Sequence, residues 1–364
     1  MKHLLVLTLS LCFALSSTAQ TLRVLNWGDY IDPELVTQFE RENGVSIEYV
    51  EFNSEEEFNK LFFERDASFD VVFPSSTLLG VLSKKDLLVK LDKTKIQHFE
   101  QLNRDVMREL EAQDPGNQYG VPYMWGTTGI GANTKELKRL GLFEYADSWS
   151  LIFDANKREK LKSCGIGLVY ERDELFAAAL IYLGYPINTK DPEQLDTAGS
   201  LLKETVADAK YVHSTQYTDD LGAGKICVGV GYSGDILAEM ESNPAISYNI
   251  PREGASMWFD MMAIPSNSEN KELAYRLINF LSTPKIAGTN SNYIAYPTPV
   301  DTAKAFVDAE ILEDKTIYPS QEILARLQAF APLERRSNNI KHRLWVKALC
   351  SNGRWCVMPM KSYL

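Results

Sequence analysis

The chain is poor in cysteine and histidine, short of cationic side chains, and lacks any apolar run long enough to span a bilayer. It holds 5 Cys and 4 His in 364 residues. Beyond residue 20 the histidines are His98, His213 and His342, widely scattered, and no cysteine pair has zinc-ligand spacing. A metal site is therefore not expected. The longest apolar run, residues 4–15, falls short of the roughly 20 residues a membrane helix needs. Lys and Arg number 38 against 49 Asp and Glu, a net charge of −11. Such a surface repels nucleic acid and steers cations inward. H-E-x-x-H and P-loop motifs are absent, and Gly231-Tyr-Ser-Gly-Asp235 lacks the last glycine of G-x-S-x-G. No catalytic residue is assigned, no cofactor is expected, and the reading is of a protein that is not an enzyme.

What is present begins at the N-terminus. Lys2, the run 4–15 and the small residues Ser17 and Ala19 have the order of a cleavable signal peptide. Cleavage near Ala19 leaves 345 residues, more than one core usually accommodates, so two lobes are expected. It also leaves four cysteines, Cys164, Cys227, Cys350 and Cys356, which in an oxidising compartment permit three pairings.

The mature chain alternates strand and helix signals. Residues 23–26 form a β run. Asp32-Pro33-Glu34 opens a helix that Asn43-Gly44 closes. Residues 45–50 alternate as a strand, Ser54-Glu-Glu-Glu57 caps a helix running to about 65, and 69–73 is a buried-type strand. This alternation implies a mostly parallel, doubly covered sheet. Gly120–Asn133 is different: extended, aromatic and glycine-rich, it reads as a segment crossing between lobes. A second series follows, with a helix at 173–183, a strand at 226–230, a helix at 235–242 and a strand at 256–264. Residues 291–299 read as a rigid loop and 320–330 as a helix. The expected division is 20–127 with 256–300 for one lobe and 130–252 with 303–350 for the other. Residues 351–364 read as a loosely packed tail.

The residues with chemical potential are acids beside aromatics. Trp27-Gly-Asp29-Tyr30 leaves the carboxyl end of a strand, where open α/β sheets bind ligands. An indole, a phenol and a carboxylate there suit an organic cation. Tyr232-Ser-Gly-Asp235 follows another strand, and Gly229-x-Gly231-x-x-Gly234 matches the dinucleotide fingerprint. A tyrosine and an aspartate inside that loop would crowd and repel a pyrophosphate, so a turn with a helix cap is preferred. Asp260 interrupts the apolar run 257–264 and must turn outward or meet a cation. Glu174 reads as a first-turn acid. A carboxylate pair would also serve an exported hydrolase acting on a sugar or peptide, and that alternative stays open.

In order along the chain stand Asn26-Trp-Gly-Asp-Tyr-Ile31, Phe69-Asp-Val-Val-Phe-Pro-Ser75, Pro122-Tyr-Met-Trp-Gly-Thr-Thr-Gly-Ile-Gly131, Gly224-Lys-Ile-Cys-Val228, Gly231-Tyr-Ser-Gly-Asp235, Ile250-Pro-Arg-Glu-Gly254 and Trp258-Phe-Asp260. Over about residues 20–345 the chain resembles the bacterial periplasmic spermidine/putrescine-binding proteins that serve ABC importers. The resemblance implies a type II periplasmic binding protein fold, two α/β lobes joined by a hinge. It implies a monomer that captures a polyamine and delivers it to a permease and ATPase complex, with no nucleic-acid partner. A sensor that signals instead of transporting would look the same.

Carried over by position, the ligand residues would be Trp27, Asp29, Tyr30, Ser75, Glu174, Tyr232, Asp235, Trp258, Asp260 and Tyr293. The resemblance also implies a Cys164–Cys227 disulfide. Gly28 replaces the usual serine or threonine, Tyr232 the usual tryptophan, and Thr77 the tyrosine of spermidine binders. Trp258 is the larger wall found in spermidine binders, so spermidine is expected to bind at least as tightly as putrescine.

Overall fold

The structure, a computed structural model, describes residues 20–64, 68–332 and 334–350. The expected signal peptide, residues 65–67, and Cys356 with the tail from 351 lie outside the described residues.

The strands are β1 (Thr21–Trp27), β2 (Ser46–Phe52), β3 (Val71–Val72), β4 (Gly120–Asn133), β5 (Ile166–Leu168), β6 (Tyr211–Val212), β7 (Val228–Tyr232), β8 (Ile246–Asn249), β9 (Ala255–Ala263) and β10 (Leu327–Ala329). They form one sheet in the order β2-β1-β3-β9-β4-β7-β5-β6, with β10 beside β9 and β8 beside β4. The outer pairs β1–β2, β1–β3, β5–β6 and β5–β7 are parallel. The central contacts of β9 and β7 with β4 are antiparallel.

β4 holds these blocks together. Its residues from Gly120 to Thr127 pair with β9, and those from Thr128 to Ala132 pair with β7. All 14 of its residues are buried, so it has no solvent face. Leu22 and Val24 of β1 enter one apolar cluster with Phe39, Tyr123 and Ile278, while Leu25 enters another with Phe52, Phe58 and Met261. Burial on both faces is what parallel strands require. A third cluster holds Trp149, Leu168, Phe176, Cys227, Val230 and Trp345.

Local signals act as their chemistry demands. The Asp32 carboxylate accepts from the Glu34 amide at 2.9 Å to open the helix Pro33–Asn43, and Gly44, at φ 64°, closes it. The Ser54 hydroxyl accepts from the Glu57 amide at 3.1 Å to open Glu55–Phe62. Cys164 and Cys227 are bonded, with Cα atoms 5.5 Å apart, as the resemblance implied.

Two expectations fail. Residues 320–330 are only a short helix, Gln321–Leu324, followed by β10, which pairs with β9. The loop expected from 291 begins at Ala295, because the helix Pro284–Ile294 continues until Ala295 adopts φ 54°. Proline at the first turn of that helix fits the start of a helix, and no apolar break follows to stop it.

Candidate functional site

The site is assembled where β1, β7 and β9 meet the helices that follow the strands. Strand alternation puts Ser256, Trp258 and Asp260 of β9 on one face, while Met257, Phe259 and Met261 join the apolar cluster behind. The Tyr30 hydroxyl donates to the Asp260 carboxylate at 2.8 Å, and Asp260 is 6% exposed. Trp27 packs on Phe52 at 4.4 Å, and its indole nitrogen is buried without a hydrogen-bond partner, although it lies near enough to lower the Asp260 pKa. Asp29 follows at φ 54°, exposed at the rim.

At another station, Asp235 accepts from the Tyr217 hydroxyl at 2.8 Å and the Tyr296 hydroxyl at 3.3 Å. Asp235 lies in the first turn of the helix Ser233–Ser242. At a third, Glu174, in the first turn of Arg172–Tyr182, accepts from the Ser256 hydroxyl. Ser75 caps the helix Ser76–Lys84, forms a β-bridge with Asp260, and donates its hydroxyl to Glu55. Edge-on aromatic contacts join the stations: Tyr232 to Trp258 at 5.5 Å, Trp258 to Tyr296 at 5.2 Å, and Tyr296 to Tyr30 at 5.4 Å.

The electrostatics point one way. Burial pushes Asp260 up to about 8, against the Tyr30 hydrogen bond. Burial pushes Glu174 up to about 7, against its hydroxyl partners. Asp235 and Glu55 are also raised, chiefly by burial. Glu171 is raised well above the carboxylate range by burial and then by the charges of Glu55 and Glu174. These acids lack enough cation to neutralise them. Among the described residues, no three His, Cys, Asp or Glu converge on a metal ion. About 13 Å of strand separates Ser256 from Asp260, at some 3.3 Å per residue. Acids strung along an aromatic wall fit an elongated organic cation better than a compact ion.

Of the residues expected from sequence, Trp27, Tyr30, Tyr232, Asp235, Trp258 and Asp260 come together, joined by Ser75 and Glu174 through their hydroxyl and carboxylate partners. Asp29 stands apart at the rim, where its charge still raises Asp235. Tyr293 does not join them: it lies on the helix Pro284–Ile294, not on a loop, and is 53% exposed, whereas Tyr296, beyond the helix end and 4% exposed, packs against Tyr30 and Trp258. Sequence reading missed Tyr296, Tyr217, Glu55 and Glu171. The glycines of the fingerprint match also gain a reason. A Cβ on Gly231 would lie 2.1 Å from the Tyr217 ring, and one on Gly234 would lie 2.3 Å from the Tyr296 ring. They admit aromatic rings, not a pyrophosphate.

Two α/β blocks sharing a central strand, with buried acids and aromatics gathered beside it, have the architecture of periplasmic binding proteins. The chain belongs to the bacterial extracellular solute-binding proteins, whose family signature matches residues 34–319. It is 38% identical over 356 residues to the putrescine-binding periplasmic protein SpuD of Pseudomonas aeruginosa, covering 95% of this chain and 97% of that one. It is 34% identical over 341 residues to the putrescine-binding periplasmic protein PotF of Escherichia coli, covering 92% of each. The spermidine/putrescine ABC transporter substrate-binding protein PotD of Streptococcus pneumoniae superposes with a TM-score of 0.79 at 31% identity, covering 91% of this chain and 98% of that one. These relatives are named as binding proteins, which disfavours the hydrolase alternative. No helix among the described residues is long and apolar enough to cross a membrane.

Proposed function

We propose that this protein captures an aliphatic di- or polyamine outside the cytoplasm and delivers it to the permease and ATPase of an ABC importer. The observation that carries this reading is the set of buried carboxylates, Asp235, Asp260 and Glu174 with Glu55 and Glu171, whose pKa values burial raises, beside the Tyr30–Tyr296–Trp258–Tyr232 wall. Alkyl ammoniums remain charged up to about pH 10. Each loses several kcal/mol of hydration on entry, as an order of magnitude, unless carboxylates receive it. Aromatic faces cover the methylenes and contribute about 0.5–2 kcal/mol each.

In this reading the ligand contacts are Trp27, Tyr30, Ser75, Glu174, Tyr232, Asp235, Trp258, Asp260 and Tyr296, with Asp29 at the entrance. Two lobes, 20–127 with 256–300 and 130–252 with 303–350, close on the ligand about the segments where the chain crosses between them, 127–130 and 252–256. Residues 1–19 direct export and are removed near Ala19, and the mature protein acts in the periplasm as a monomer. Calorimetry with putrescine, cadaverine, spermidine, spermine and agmatine tests the reading. Saturable 1:1 binding of at least one of them, without turnover, is expected; no heat and no thermal stabilisation with any of them would refute it.

A further inference from the structure

The helix Arg172–Tyr182 carries Glu171 at its N-cap and Glu174 in its first turn, next to a cation that belongs to the chain itself, Arg172. A guanidinium beside unpaired carboxylates is an internal competitor for any ammonium the site admits. Arg172 does not pair with them. Its Nη2 donates to Asp173 at 2.6 Å, while its Nε is buried without a partner. Asp173 is gripped from its other side by Lys341 Nζ at 3.2 Å. Lys341 comes from the C-terminal helix Arg335–Cys350, is 1% exposed, and lies over the Phe176 ring at 5.7 Å. This helix lies beyond residues 34–319, the part that matches the family signature. A fully buried ammonium costs several kcal/mol of hydration, as an order of magnitude, so its placement against this one carboxylate needs a reason.

We propose that Lys341 and Asp173 form a tether that holds the Arg172 guanidinium off Glu55 and Glu171, keeping those carboxylates for the ligand's ammonium. The proposal rests on the cation-binding reading and adds positioning residues to it. Burial and neighbouring acids raise Glu55 and Glu171, and Arg172 is the cation that opposes this at both, so it already lies within electrostatic reach of them. Lys341 acts only through Asp173.

The test is calorimetry with putrescine and spermidine on four variants, each first checked for folding by circular dichroism. Asp173→Asn alone strands a buried ammonium, so the informative variant is Asp173→Asn with Lys341→Met, which removes both charges together. Freed Arg172 then pairs with the acids, and amine affinity falls by about tenfold or more, the scale on which a nearby opposite charge shifts a carboxylate's cation affinity. Adding Arg172→Gln removes the competitor and restores affinity. Lys341→Arg keeps the tether and binds as the wild type does. Arg172→Gln alone, with the tether intact, leaves affinity near that of the wild type, whereas a gain of about tenfold would mean that Arg172 already neutralises the acids and would overturn the proposal. Wild-type affinity in the double variant, or a triple variant as weak as the double, overturns it too, since a merely structural role would not be rescued by losing Arg172. Failure of the wild type to bind any amine would defeat the cation-binding reading itself, before any variant is made.

Discussion

Polyamine binding near neutral pH should expel protons from the protein. With Asp260 at about 8 and Glu174 at about 7 in the unliganded site, about 0.9 of the first and about 0.5 of the second is protonated at pH 7. An ammonium beside a carboxylate favours the charged form by about one to three pK units, so both groups ionise as the ligand seats. The ligand's own ammoniums stay protonated, so the released protons come from the protein. At least about one proton per ligand is expected at pH 7. Linkage then fixes the sign: affinity rises with pH. Between pH 6 and 8, full ionisation in the complex would give about 50-fold from Asp260 and about tenfold from Glu174; with partial ionisation, an overall gain of about tenfold is the floor. Titrations in phosphate and in Tris at pH 7 count the protons, because the apparent enthalpy changes with buffer ionisation heat in proportion to their number. Repeating them at pH 6 and 8 gives the affinity change, and Asp260→Asn should release about 0.9 fewer protons. Equal enthalpies in both buffers, with a flat affinity from pH 6 to 8, would show that the acids are ionised before the ligand arrives and would refute the desolvation argument.

The same raised pKa values predict how stability varies with pH. Because the folded state holds protons that the unfolded chain has lost, the unliganded protein should lose several kcal/mol, as an order of magnitude, as pH rises from about 4 to 8. Melting temperatures that rise over that range would contradict this, and saturating polyamine should flatten the slope. Asp235→Asn should weaken binding several-fold or more by removing the carboxylate that Tyr217 and Tyr296 orient; unchanged affinity would take this station out of the site. Replacing Cys164 and Cys227 together by serine opens a link across 63 residues, and denaturant unfolding should register a loss of about 4 kcal/mol. Trp258→Phe should shift the spermidine-to-putrescine affinity ratio toward putrescine by about 1 kcal/mol, the scale of one aromatic contact, and a ratio indifferent to the change would remove Trp258 from ligand selection.

The fold was legible wherever a cap or an alternation acted locally, as at Asp32, Ser54 and β1. Asp260 was legible only in part: an acid inside an apolar strand demands a partner, but instead of turning outward or meeting a cation of the chain it is buried and accepts from the Tyr30 hydroxyl. Glu55 and Glu171 were not, because acids at a helix start look like ordinary partners of the backbone dipole until tertiary packing brings Ser75 and Glu174 beside them. Tyr293 and Tyr296 flank a helix end set by one residue in the left-handed region, and no local signal in Ile294-Ala295 announces that turn. β10 escaped because three residues cannot show a period.

The central strand also carries a consequence for how the chain reaches this structure. Thr128 meets Tyr232, 104 positions later, and Gly120 meets Ala263, 143 positions later. Ala255 in turn meets Leu327. The paired residues of β4 therefore wait for partners about a hundred or more positions later in the chain, and closing such loops costs entropy before any pairing repays it. Folding should be slow and late for a chain of this length, with the middle of the sheet forming last. Until residue 263 of 364 has been made, the pairing of β4 cannot be complete. A truncation before β9 should thus leave Gly120–Thr127 of β4 without its partner strand and the two outer α/β blocks unjoined there.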